Sequence, residues 1–115
     1  MFMYRVIIIT IVLMNAIAAY AYSPEVVQSY ISEYKSIALN NEKEYGIPAP
    51  IILAQGILES GAGTSGLVRA SNNHFGIKAG PKWRGQVHQA WDDEPQKSRF
   101  RCYDSAAESY KDHAR

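Results

Sequence analysis

The segment Ile51-Ile52-Leu53-Ala54-Gln55-Gly56-Ile57-Leu58 constrains the fold of this 115-residue chain more than any other stretch. Ile47-Pro48-Ala49-Pro50 restarts the chain after the stop Tyr45-Gly46, and a helix is expected from about Ala49 to Ser60. A helix that is apolar on most faces has to be packed from several sides. It is therefore expected to be the central helix of one small domain. A single carboxylate, Glu59, ends it, and a loop of small residues, Ser60-Gly61-Ala62-Gly63-Thr64-Ser65, follows at once.

The elements around this helix are legible from local signals. Ser23-Pro24-Glu25 is a helix start, with a capping hydroxyl, a proline in the first turn and an acid near the positive dipole end. Val26, Val27, Tyr30, Ile31, Tyr34, Ile37 and Ala38 recur at helical spacing, which carries that helix to about Glu44. Residues 61–82 are rich in Gly, Ser and Asn, with room for one short helix around Leu67 to Ala70. Gln86 to Trp91 and Phe100 to Tyr103 suggest paired strands joined by the acidic turn Asp92-Asp93-Glu94-Pro95-Gln96-Lys97. Ser105-Ala106-Ala107-Glu108 is a capping box that opens a third long helix. That helix meets no stop signal before Arg115, so a domain incomplete at its C-terminus is expected.

The first 21 residues form a separate unit. One basic residue, Arg5, precedes an apolar stretch from Val6 to about Ala19, and Ala19-Tyr20-Ala21 offers a small-x-small cleavage pattern. The stretch is shorter than the roughly 20 residues that span a bilayer, which points to a cleaved secretory signal and not an anchor. The expectation is an exported protein, secreted or periplasmic, with no membrane anchor, as a monomer. Without Arg5 the 12 basic residues become 11, against 11 acidic ones, so there is no electrostatic pull toward nucleic acid. Cys102 is the lone cysteine and reads as a small buried residue. His74, His88 and His113 lack metal-ligand spacing, and Gly61-Ala62-Gly63 follows a helix with no Gly-Lys-Ser/Thr, so neither a metal nor a phosphate loop is expected. No cofactor is implied.

Glu59 is the residue with chemistry in it. At the C-terminal end of a buried helix, both partial dehydration and the negative dipole end disfavour the charged carboxylate, so its pKa should rise. A carboxylic acid that keeps its proton near neutrality is what protonating a glycosidic oxygen requires. Most lone glutamates at helix ends are solvated surface residues; here the small residues that follow leave room for a bulky ligand.

Three segments carry a family resemblance: residues 54–65 around Leu58-Glu59-Ser60-Gly61, then Asn72-Asn73-His74-Phe75-Gly76-Ile77-Lys78, then Phe100-Arg101-Cys102-Tyr103-Asp104-Ser105. In that order and spacing they resemble the bacterial glucosaminidases, peptidoglycan hydrolases of glycoside hydrolase family 73 that include the flagellar-rod muramidase-like enzymes. The resemblance runs from about Glu33 to Arg115. It implies an α+β, lysozyme-like fold over residues 22–115, with a mainly helical lobe, a small β-hairpin lobe and a groove between them. It also implies cleavage of the β-1,4 bond after N-acetylglucosamine in peptidoglycan glycan strands, with Glu59 as general acid.

The resemblance implies a second carboxylate in the acidic turn, where Glu94 is the best match, with Asp93 and Asp92 as near alternatives. A solvated hairpin tip is the alternative reading of that turn. Asn72, Asn73 and Phe75 are candidate sugar contacts, or else the asparagines hold a turn and Phe75 packs inward. Trp83 and Trp91 are candidate stacking platforms, and Tyr103 is expected to pack in the hairpin. Two rival functions remain open at this point: a lytic transglycosylase of the same fold type, and a non-catalytic glycan-binding domain.

Overall fold

A computed structural model describes residues 22–92 and 95–115. The expected signal segment, residues 1–21, lies outside the described residues, as do Asp93 and Glu94. The chain runs α1 (Pro24–Tyr45), α2 (Ala49–Ser60), α3 (Gly66–Ser71), β1 (Val87–Ala90), β2 (Ser98–Arg101) and α4 (Ala106–Ala114). Local chemistry sets the helix ends. Ser23 Oγ accepts the Val26 N–H at 3.3 Å with Pro24 in the first turn, and Gly46 closes α1 in the left-handed conformation. Ser105 Oγ accepts the Glu108 N–H at 3.3 Å, while the Glu108 carboxylate reaches back to the N–H of Asp104 at 3.0 Å. The expected capping box thus forms with its return bond one residue further out.

Both α2 and α4 pack on α1. Tyr30 and Ala38 of α1, Ile52, Leu53 and Ile57 of α2, Phe75 and Tyr110 make the core. Each buried Ile or Leu contributes roughly 1.5–3 kcal/mol. The enclosure of α2 is one-sided, which corrects the expectation of packing around most of its faces. Ile51 remains 48% exposed, as does Leu39 of α1 at 49%. Gly56 lets two rings meet over α2. A Cβ there would collide with the Tyr30 hydroxyl and lie 3.0 Å from the Tyr110 hydroxyl.

The hairpin is antiparallel, in register from Val87 opposite Arg101 to Ala90 opposite Ser98. Its second strand starts two residues earlier than Phe100, the expected first residue. It also ends at Arg101, two residues before the expected Tyr103, and the cause of that end is non-local: Cys102 N–H bonds Gln86 O at 2.9 Å, and the next N–H, that of Tyr103, leaves the ladder for Ser71 O at 2.8 Å. On the other edge of β2, Ala79 N–H bonds Arg99 O at 2.9 Å and Arg101 N–H bonds Ile77 O at 3.0 Å. The loop leading to Ala79 is thereby stitched to the hairpin, and this loop faces the end of α2.

Candidate active site

Glu59 occupies the last turn of α2, and the loop after it is tied to the helix end. Gly61, Ala62 and Gly63 all adopt the left-handed conformation, at φ 60°, 54° and 79°. For Ala62 this costs about 1–2 kcal/mol, which its burial in the core helps offset. Its N–H bonds Ile57 O at 2.8 Å, the long closing bond of a Schellman-type cap. Ser60 Oγ donates to Gly56 O at 2.6 Å and accepts the Gly63 N–H at 2.8 Å. Glu59 is therefore carried on a rigid corner.

The residue as a whole is exposed, so its carboxyl stays accessible. Protein nevertheless crowds that carboxyl, and burial raises its pKa above the usual carboxylate range. The position at a helix C-terminus acts in the same direction. Opposite it stands Gly76, at φ 63°, where a methyl group would lie 3.5 Å from Glu59 Oε2.

Behind this corner lies a buried polar network. Tyr30 Oη is 2.8 Å from His74 Nδ1 and 2.6 Å from Tyr110 Oη. Burial lowers the pKa of His74 to about 4, so its ring is neutral at pH 7. The neutral ring has one N–H, so the chain of bonds runs one of two ways: Tyr110 donates to Tyr30 and Tyr30 to a bare Nδ1, or Nδ1–H donates to Tyr30 and Tyr30 to Tyr110. Burial also pushes both phenols above their ordinary range, so the network carries no charge.

The family model for mannosyl-glycoprotein endo-β-N-acetylglucosaminidases matches residues 35–115. The chain belongs to the glucosaminidase family. It is 34% identical over 103 residues to the peptidoglycan hydrolase FlgJ of Vibrio parahaemolyticus, across 81% of this chain and 32% of that protein. A peptidoglycan hydrolase from Sphingomonas sp. A1 is similar in structure, with a TM-score of 0.69 and 34% identity over 76% of this chain and 58% of its own. The glycoside hydrolase domain of Salmonella typhimurium FlgJ follows at a TM-score of 0.66 and 32% identity, with the same coverage. The glucosaminidase chain spans about a third of the length of the curated relative and 58% of each solved one. Its α+β architecture is the lysozyme-like one that the resemblance implies.

The other candidate residues of this glucosaminidase fare differently. Asn73 has no exposed surface: its Nδ2 donates to Ile77 O and Arg101 O, both at 2.9 Å, and its Oδ1 accepts from Ile77 N–H at 3.0 Å. All of this amide is spent on backbone, which removes Asn73 from the sugar-contacting set. Phe75 leaves it too, buried against Tyr110 and stacked on His113 at 4.0 Å. Asn72 caps α3 in the left-handed conformation and donates to Tyr103 O at 3.0 Å, a turn-holding task.

Trp83 is held by the Arg101 guanidinium 4.7 Å above its ring and by a bond from Nε1 to Gln86 O at 3.0 Å. It also lines a surface groove of about 330 Å³ with Tyr103 and Glu108. Trp91, at 66% exposed, leaves an aromatic face open. In the acidic turn, Asp92 pairs with Lys78 at 3.0 Å, while Asp93 and Glu94 lie outside the described residues. Tyr103 donates to Asp112 at 2.6 Å, which ties the hairpin end to α4. Among the described residues no three His, Cys, Asp or Glu side chains are grouped to hold a metal ion.

Proposed function

We propose that this chain cleaves the β-1,4 bond after N-acetylglucosamine in peptidoglycan, with Glu59 as the proton donor. The observation that carries the reading is an accessible carboxyl whose pKa burial raises, on a rigid corner, facing the bare Cα of Gly76. The family membership and the similarity to peptidoglycan hydrolases support the substrate class. Glu59 gives its proton to the leaving glycosidic oxygen as the bond breaks through an oxocarbenium-like transition state. Water then adds to the anomeric carbon, and its proton passes to a second group. Glu94 is the residue we propose for that role, either as general base or as the group that steadies the substrate's own acetamido oxygen. Trp91 offers a ring for a pyranose face. The protein works in the cell envelope, exported by residues 1–21, as a monomer.

Mass spectrometry of digested glycan strands tests the reaction. Reducing N-acetylglucosamine ends are expected; anhydro-sugar ends would mean a lytic transglycosylase. Glu59→Gln should lower turnover by about 10²–10⁴-fold, the usual worth of a general acid. Wild-type binding to peptidoglycan with no sugar released by either form would leave a glycan-binding domain.

A further inference from the structure

Among the described glycines, Gly76 is the one at which an added Cβ would meet the Glu59 carboxyl. A methyl group at its Cα would meet Glu59 Oε2 at 3.5 Å, with no other heavy atom within 4 Å. The loop that carries it is held on both sides. Asn73 grips Ile77 through its N–H and its carbonyl, and the same carbonyl accepts the Arg101 N–H from β2. The loop is thus tied to itself through Asn73 and to β2 through Arg101.

We propose that Gly76 is a positioning residue for Glu59. Its bare Cα lets the loop backbone close on the carboxyl and strip part of its water, yet leaves a methyl-wide gap at Oε2 for the sugar oxygen. This role rests on Glu59 being the proton donor. Asn73 is then the clamp that sets the distance, although it touches no substrate. Burial is what raises the Glu59 pKa, with no charged neighbour contributing among the described residues. The titratable groups on the flanking elements include Tyr30 and Tyr34 of α1, Tyr110 and His113 of α4, His74 in the same loop and Tyr22, whose hydroxyl lies beside Gly61; Asp112 of α4 is paired with Arg101. Burial shifts the phenols of Tyr30, Tyr34 and Tyr110 up and the imidazoles of His74 and His113 down, so these five are neutral near pH 7. Lys78, two residues on, is paired with Asp92.

The test is a carbon-13 NMR titration of Glu59 in the full chain and in Gly76→Ala, Gly76→Asn and Gly46→Ala. Gly46 has φ 79° with nothing within 4 Å of its Cβ position, so Gly46→Ala carries the backbone strain alone. Gly76→Ala should raise the Glu59 midpoint by further dehydration. Gly76→Asn tolerates the left-handed conformation, brings an amide donor to Oε2 and should lower it. Gly46→Ala should leave it in place. Turnover of Gly76→Ala should fall roughly ten- to a hundredfold, with KM within about twofold. An unmoved midpoint in the folded position-76 variants overturns the proposal alone. Activity retained in Glu59→Gln overturns the proton-donor reading, and the catalytic part of this proposal with it.

Discussion

Gly56 has no room for a side chain, and the consequence can be worked out. In an exposed helix Gly→Ala stabilises by about 1 kcal/mol, through the entropy of the unfolded chain. Here the new methyl would collide with the Tyr30 hydroxyl, lie 3.0 Å from that of Tyr110 and 3.3 Å from Tyr30 Cζ. Those atoms are the ends of stiff, buried rings that hydrogen-bond each other and His74, so they cannot swing aside. Overpacking costs about 1–3 kcal/mol, and breaking the network leaves a buried hydroxyl or imidazole unpaired for another 1–3 kcal/mol or so. Subtracting the helix gain leaves Gly56→Ala less stable by about 1–5 kcal/mol. At roughly 4–8 °C per kcal/mol for a domain of this size, a centre near 3 kcal/mol lowers Tm by about 12–24 °C. Urea and thermal unfolding of the full chain measure this. Tyr30→Phe in the same chain removes the colliding oxygen, so the double variant should be more stable than the two single losses added together. A Gly56→Ala chain as stable as the wild type, or a strictly additive pair, would refute the packing account.

Further outcomes follow from the same geometry. Asn73→Ala should destabilise by about 2–4 kcal/mol in urea unfolding, since it strips the partly buried Ile77 N–H and Arg101 C=O of their amide partner and leaves a cavity at a fully buried position. Activity should fall with it even where the variant is folded, because the Gly76 loop loses its clamp. His74 gives a pH signature: its folded pKa near 4 lies below the unfolded value near 6.5, so the unfolded chain binds the extra proton between them. Stability should therefore be full above about pH 6.5 and fall by roughly 3 kcal/mol as pH drops through 4, a slope that His74→Gln should flatten. Glu59 has the opposite sign: its raised pKa makes ionisation at neutral pH unfavourable to the fold. Glu59→Gln should accordingly be no less stable than the wild type at pH 7 while losing turnover, which separate melts and activity assays will show.

Elements governed by neighbours in the chain were readable without a structure. Ser23-Pro24-Glu25, Tyr45-Gly46 and Ser105-Ala106-Ala107-Glu108 mark helix ends that fall where expected, because each cap is satisfied within four residues. The error in β2 has a different origin. Phe100 to Tyr103 has strand-like composition throughout, but the Tyr103 N–H finds Ser71 O, 32 positions back, and no local pattern announces that partner. Asn73 and Phe75 show the same limit. An amide and a ring suit a sugar as well as they suit a turn and a core, and only burial separates the two uses.

Periodicity and capping alone determined that a mostly apolar helix ends in Glu59 and that small residues follow it. Those are short-range properties, set by side-chain spacing and by the backbone groups a helix end leaves unpaired. What the carboxyl meets there was decided by tertiary structure. Gly76 is 17 residues further along, and it reaches Oε2 because Asn73 and Arg101 hold its loop against the hairpin. Dehydration of one acid depends on which atoms crowd it in space, and that is a property of the packed chain.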